Sequence, residues 1–185
     1  MTPTSVTPSS GFRSLLPFGG ALVAVVALDQ VTKASAVSSL EPCASALTKR
    51  TFDLCLAYNK GMAFSLGSGS GPVIAAVAIV IVTILAVSSR TIPSTATRVI
   101  MGVVAGGAVG NVVDRAFRPP AGFMRGEVVD FLYSSFWPTF NVADSCIVVG
   151  GLALAVLMWR TPTPESTESD PAESDPAESL PGRDG

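Results

Sequence analysis

The stretch VIMGVVAGGAVGNVVDR, residues 99–115, decides the fold class. It is apolar and rich in small residues, with Gly102, Gly106, Gly107 and Gly110 in its middle, and it ends in Asn111, Asp114 and Arg115. Small residues let helices approach closely in lipid, where there is no hydrophobic drive to hold them together. Ionisable groups gathered at one end of such a run belong near a membrane surface. Working outward, the other apolar runs are Leu15–Leu28 with a weaker continuation to Val37, Pro72–Val87, and Ile147–Trp159. A membrane span needs about 20 residues. The first, third and fourth runs reach that length only by taking in polar residues at one end.

Which end is informative. Span one carries Asp29 and Lys33 at its C-terminal end, span three carries Asn111, Asp114 and Arg115 at its C-terminal end, and span four carries Asn141 and Asp144 at its N-terminal end. Successive spans alternate direction, so all of these groups fall on one side of the membrane. The long connections 38–71 and 116–140 are on that side too, and a short turn near Arg90–Arg98 lies opposite with both termini. The expected fold is an all-α membrane protein of four transmembrane helices with one elaborated, polar face.

Composition agrees. The 185 residues are 48 % hydrophobic and 14 % charged, with a mean hydropathy of +0.50. Soluble domains carry about 25 % charged residues, and a disordered chain needs low hydrophobicity with high net charge. The net charge of −2 hides an asymmetry: residues 161–185 hold seven acids and one base, and the first 160 hold eleven bases and seven acids. A basic, apolar body suits an anionic membrane surface and carries no nucleic-acid signature. Basic residues near span ends number four on the plain side and six on the elaborated side, a count that does not by itself orient the chain.

Residues 1–14 read as a flexible N-terminus. Arg13 before the first run and Ala34-Ser35-Ala36 after it resemble a cleavable leader. Asp29 and Lys33 just ahead of that point suit a leader core poorly, so the run is read as a retained span. Within 51–66, Asn59-Lys60-Gly61 reads as a turn with short strands on its flanks. The tail 161–185, with Glu-Ser-Asp-Pro-Ala at 168–172 and again at 173–177, reads as disordered and carries no chemistry. The membrane domain is therefore 15–160.

The chain has no His. That removes Ser-His-Asp and Cys-His nucleophile schemes and most catalytic zinc sites. Cys43, Cys55 and Cys146 are not at metal spacing, and no cofactor is implied. Cys43 and Cys55 could pair outside the cytoplasm. Acid–base chemistry is left to Asp, Glu, Lys or Tyr. Asp29 and Lys33, at i and i+4, suit a supporting ion pair, and Asp114 suits a bond to an Arg or to a neighbouring loop. Asp130, in the apolar patch Glu127-Val128-Val129-Asp130-Phe131 of the second long loop, and Asp144, at the mouth of span four, lack close basic neighbours in sequence. Two carboxylates sharing a proton activate a water for peptide hydrolysis. At about 4 Å and an effective dielectric of about 20 they repel by about 4 kcal/mol, roughly three pKa units. On spacing alone Asp114 with Asp144 is an equal choice. A proton-coupled transporter is the competing reading; the clustering of polar groups at one face and the lack of an inverted repeat argue against it.

Five strings, Asp29-Gln30-Val31-Thr32-Lys33, Tyr58-Asn59-Lys60-Gly61-Met62-Ala63-Phe64, Gly107-Ala108-Val109-Gly110-Asn111-Val112-Val113-Asp114-Arg115, Val128-Val129-Asp130-Phe131 and Phe140-Asn141-Val142-Ala143-Asp144-Ser145, resemble in their order and placement the lipoprotein signal peptidases (signal peptidase II), the integral-membrane aspartic peptidases of bacteria. The resemblance covers about residues 15–160. It implies removal of the signal peptide from a diacylglyceryl-modified prolipoprotein, just before the lipid-bearing cysteine, without a metal or cofactor. It places the catalytic pair on Asp130 and Asp144. Asn59, Gly61, Asn111, Arg115 and Asn141 would line the site, with Asp29, Lys33, Gly107, Asp114 and Ala143 in support. It further implies a β-like extracytoplasmic cradle at 40–68, a mobile loop over the site, and a monomeric, multi-pass protein of the bacterial cell membrane with both termini cytoplasmic, whose partners are the prolipoprotein and membrane lipids. The link from Arg115 to Asp130 is longer than the family pattern.

Overall fold

The computed structural model describes residues 10–43, 51–61, 70–120 and 122–160. Its elements run α1 (Ser10–Ser39), β1 (Phe52–Asn59), α2 (Gly71–Ser88), α3 (Thr95–Phe117), β2 (Val128–Ser134) and α4 (Val142–Arg160). All four helices are long and apolar enough to cross a membrane, and the chain is a multi-pass membrane protein. Three helices extend past the apolar runs that announce them: α1 begins before Leu15, α3 takes in Thr95–Arg98 and Asp114–Phe117, and α4 starts at Val142 instead of Ile147. The starts of α3 and α2 have local reasons. The Ser94 hydroxyl caps α3 by accepting from the Thr97 N–H at 3.3 Å. Pro72 starts α2, where its missing N–H costs nothing.

The helix α3 is central: α1, α2 and α4 all pack on it. A side chain at Gly102 or Gly106 would strike the carbonyl oxygens of Phe18 and Leu22, so α1 rests directly on the α3 backbone. At Gly107 it would strike the Ala143 carbonyl, which sets the approach of α4. Phe18, Met101 and Ala105 form the core between helices, joined by Val82 and Leu85 from α2. The outward faces, such as Val23, Val31, Val77, Ile84, Val149 and Leu152, are exposed as lipid-facing surface is.

At one end of the bundle lies a two-stranded antiparallel sheet, β1 on β2, with Phe52 opposite Ser134, Ala57 opposite Asp130 and Asn59 opposite Val128. A shift in register between Leu54 and Ala57 re-aims the second half of β1. Ala36 and Leu40 at the end of α1 pack under Val129 and Phe131. Asp130 therefore sits on a strand, not in a loop. The first flank of the Asn59-Lys60-Gly61 turn is β1, and its partner is the distant β2. The second flank, with cradle residues 44–50 and 62–68, lies outside the described residues, as do residues 1–9 of the expected flexible N-terminus and the tail 161–185. Described parts of the cradle are Leu40–Cys43, where Pro42 bridges Leu56, and residues 51–61. Cys43 and Cys55 form a disulfide across 12 positions.

The long link after Arg115 closes on itself. Gly126 N–H donates to the Arg115 carbonyl at 2.9 Å and Glu127 N–H to the Pro119 carbonyl at 3.0 Å. Whatever the length of the link, its two ends meet at the end of α3, and β2 starts from there.

Candidate active site

The polar ends of α1, α3 and α4 meet beneath the sheet. Lys33, fully buried, forms ion pairs with Asp29 on its own helix (2.8 Å) and with Asp114 on α3 (2.9 Å). It gives its third hydrogen bond to Asn111 Oδ1 at 3.0 Å. The i, i+4 pairing expected of Asp29 and Lys33 is present. Asp29 Oδ1 also accepts the Ala143 N–H at 3.1 Å, which fixes the start of α4. Asp114 takes Arg118 (2.8 Å) as its arginine partner and not the adjacent Arg115. Its Oδ2 accepts the Val129 N–H at 3.1 Å, so Asp114 holds β2 one residue from Asp130.

Asp130 is buried, and each of its oxygens accepts from an asparagine: Oδ1 from Asn141 Nδ2 at 2.7 Å and Oδ2 from Asn59 Nδ2 at 3.1 Å. Asn59 is aimed by its own turn, because its Oδ1 accepts the Gly61 N–H at 2.8 Å. Gly61 has φ 95°, and an added side chain would meet the Ser70 hydroxyl, so glycine is required there on both counts. Asp144 Oδ1 accepts from Asn111 Nδ2 at 2.8 Å and its Oδ2 from the Asn141 N–H at 3.1 Å. Asn141 Nδ2 also reaches Asn111 Oδ1 at 3.2 Å. The two aspartates thus face each other through a bridge of two asparagine amides. Arg115 donates to the Asn111 carbonyl at 3.1 Å and lies within electrostatic reach of Asp114, Asp130 and Asp144.

Burial, and next the neighbouring charge of Asp144, push the Asp130 carboxyl up to about 7, against the opposing pull of Asn59, Asn141 and Lys33. Mutual repulsion was the cause expected from the sequence; desolvation is the larger one. Of the acids the sequence singled out, Asp114 and Asp29 hold cations and Asp130 and Asp144 do not. Among the described residues no cluster suited to a metal ion is present.

Two positioning residues escaped the site reading. Gln30 Nε2 reaches Asp29 Oδ2, the Gly110 carbonyl and Asp114 Oδ1 at 3.1–3.2 Å. An amide next to an intramembrane acid is a usable signal for it. Gly126 packs on the carbonyl oxygens of Asp114, Arg115 and Arg118, with no room for a side chain; nothing in its sequence context marks it.

Residues 21–160 match the family model of signal peptidase (SPase) II. The chain belongs to the signal peptidase II family. Signal peptidase II is an aspartic-type membrane peptidase. Among its relatives the chain is 42 % identical over 161 residues to the lipoprotein signal peptidase of Rhodococcus jostii, covering 86 % of this chain and 80 % of that protein. It is 38 % identical over 156 residues to that of Mycobacterium tuberculosis H37Rv, covering 84 % and 75 %. Two solved structures described as bacterial membrane enzymes share the fold at TM-score 0.62. One is 23 % identical over 89 % of this chain and 95 % of its own. The other is 25 % identical over 82 % of this chain and 95 % of its own.

Proposed function

We propose that this signal peptidase II removes the signal peptide from diacylglyceryl-modified prolipoproteins, cutting just before the lipid-bearing cysteine, with Asp130 and Asp144 as the catalytic pair. The observation that carries the reading is that these two acids, alone among the site's carboxyls, are held by asparagine amides and not by cations. An acid whose carboxyl titrates near neutrality holds or releases a proton at working pH. One carboxylate takes a proton from a water lying between the pair as that water attacks the scissile carbonyl. The other, protonated, hydrogen-bonds the carbonyl oxygen, and the pair then delivers a proton to the leaving amine. Asn59, Asn111 and Asn141 keep both acids in place through the cycle. Asp29, Lys33 and Asp114, with Gly107 and Ala143 at the α3–α4 contact, hold the helices that carry them. Arg115 offsets the negative charge of the pair.

We place this end of the bundle outside the cell membrane, with both termini cytoplasmic. The Cys43–Cys55 disulfide beside the sheet supports that side, since disulfides persist in oxidising compartments. The catalytic unit is residues 15–160, working as a monomer.

The test is purified protein in detergent with a diacylated prolipoprotein and a metal chelator. Cleavage before the lipid-bearing cysteine is expected, and Asp130→Asn and Asp144→Asn should each abolish it while substrate still binds. The double substitution should be no worse than either single one, as for groups acting together. Near-normal turnover by Asp130→Asn, with a well-folded but dead Asp114→Asn, would reassign the pair to Asp114 and Asp144.

A further inference from the structure

Lys33 has a duty beyond ion pairing. Its ammonium has three N–H donors and no acceptor. All three are used, on Asp29 Oδ2, Asp114 Oδ2 and Asn111 Oδ1, and the side chain is wholly buried. Two of these bonds are ion pairs. The third goes to a neutral amide whose other end points at Asp144. A carboxamide has an oxygen side and an N–H side, and a group that can only donate selects the oxygen side. With Asn111 Oδ1 on Lys33, Asn111 Nδ2 must face Asp144 Oδ1, where it sits at 2.8 Å. Asn141 cannot impose this orientation alone. Its Nδ2 has two hydrogens and three acceptors in reach, Asp130 Oδ1 at 2.7 Å, Asn111 Oδ1 at 3.2 Å and the Val129 carbonyl at 3.3 Å.

We infer that Lys33 is a positioning residue for the aspartate pair: its ammonium fixes the Asn111 amide so that an N–H, and not a carbonyl oxygen, is presented to Asp144. A flipped amide would set an oxygen against the carboxylate and raise the cost of ionising it. The charge acts on the pair as well, since Lys33 pulls against the rise of the Asp130 carboxyl. The charged groups facing the cluster are Asp29 from α1, Asp114, Arg115 and Arg118 from α3, Asp130 from β2 and Asp144 from α4. The inference rests on the assignment of Asp130 and Asp144 as the catalytic pair.

Two variants separate amide orientation from charge. Lys33→Met removes both, and Asp29→Asn with Lys33→Met removes the donor while leaving the cluster's net charge unchanged. For Lys33→Met, kcat per folded molecule should fall by about 10- to 100-fold, the loss typical of an outer-shell partner. KM should stay within about twofold, and the pH–rate profile should move to higher pH, because losing a nearby cation makes both acids harder to ionise. In the double variant the profile should return toward the parent's while kcat stays low. Three results overturn the inference: kcat near the parent's in both variants, full recovery of kcat in the double variant, or failure of both to yield folded protein, each of which leaves Lys33 a purely structural cation. Asp130→Asn and Asp144→Asn run alongside. If they are dead while the Lys33 variants are normal, the inference alone fails; if they cleave normally, the assignment of the pair fails.

Discussion

Asn141 and Asp144 bind each other's backbone. Asn141 Oδ1 accepts the Asp144 N–H at 3.0 Å and Asp144 Oδ2 accepts the Asn141 N–H at 3.1 Å. This is the reciprocal arrangement of a capping box, with Asn141 at the cap and Asp144 three residues on. The same carboxylate that starts α4 is linked to Asp130 through the Asn111 and Asn141 amides. The burial of Asp130 has a consequence for stability. Its folded-state carboxyl is pushed up to about 7, against 3.8 for an ordinary aspartate. Between those pH values the folded chain binds more protons than the unfolded one, so stability falls as pH rises through the window and the cost is complete above about 7. Asp130→Asn should therefore raise the thermal midpoint in detergent at pH 8, and the gain should vanish toward pH 4; a gain independent of pH would contradict the buried-acid account. Asp114→Asn should act oppositely. It weakens the bonds to Lys33, Arg118 and the Val129 N–H, so the yield and thermal midpoint of folded protein drop while activity per folded molecule persists, as read by size-exclusion and cleavage assays. At this scale much was legible. Asp29 and Lys33 four apart gave their pairing; Asn-x-x-Asp before an apolar run is a helix-start pattern that the span read from Ile147 leaves out, and α4 begins at Val142. The choice between Asp114 and Asp130 was not, because it depends on which acid finds a cation, and Lys33 reaches Asp114 across 81 positions of chain.

The helices were readable from their apolar runs, and their ends were not. Asp114 continues α3 because Lys33 of α1 and the Val129 N–H of β2 supply partners for it, which no local propensity records. The strand pairing was hidden for a related reason: β1 and β2 are about 70 residues apart, and the five-residue patch around Asp130 resembles an apolar loop until Ala57 and Tyr58 lie beside it. Delivery of β2 depends on Gly126, whose backbone meets three carbonyl oxygens at the end of α3. Gly126→Ala should displace β2 and with it Asp130. Overpacking of this kind costs about 1–3 kcal/mol, so the thermal midpoint should fall and cleavage should slow by roughly tenfold or more. Gly151→Ala, where an added side chain has nothing within 4 Å, is the matched control, and equal behaviour of the two would show that Gly126 does not position β2.

For the molecule as a whole, the polar ends of three spans and the described parts of the two long connections lie on one side. A reporter fused after Ser68 should read as extracytoplasmic and one after Ser94 as cytoplasmic; the reverse pair of signals would invert the layout. Truncation after Thr163 should leave cleavage within a few-fold, since the acidic repeat has too little apolar surface to offset the entropy of ordering. The expected sidedness rests on the resemblance; the count of basic residues does not orient the chain, because two of the elaborated-side bases, Arg115 and Arg118, answer acids of the site itself. The bond from Asp29 to the Ala143 N–H joins the first helix to the last across 114 positions. A ribosome that has delivered α1 to α3 and β2 into the membrane has released Lys33, Asn59, Asn111 and Asp130, and still lacks Asp144. On the proposed assignment of Asp130 and Asp144, catalytic competence arrives with the final helix, and an unfinished copy is chemically silent, unable to cut anything while its own synthesis is under way.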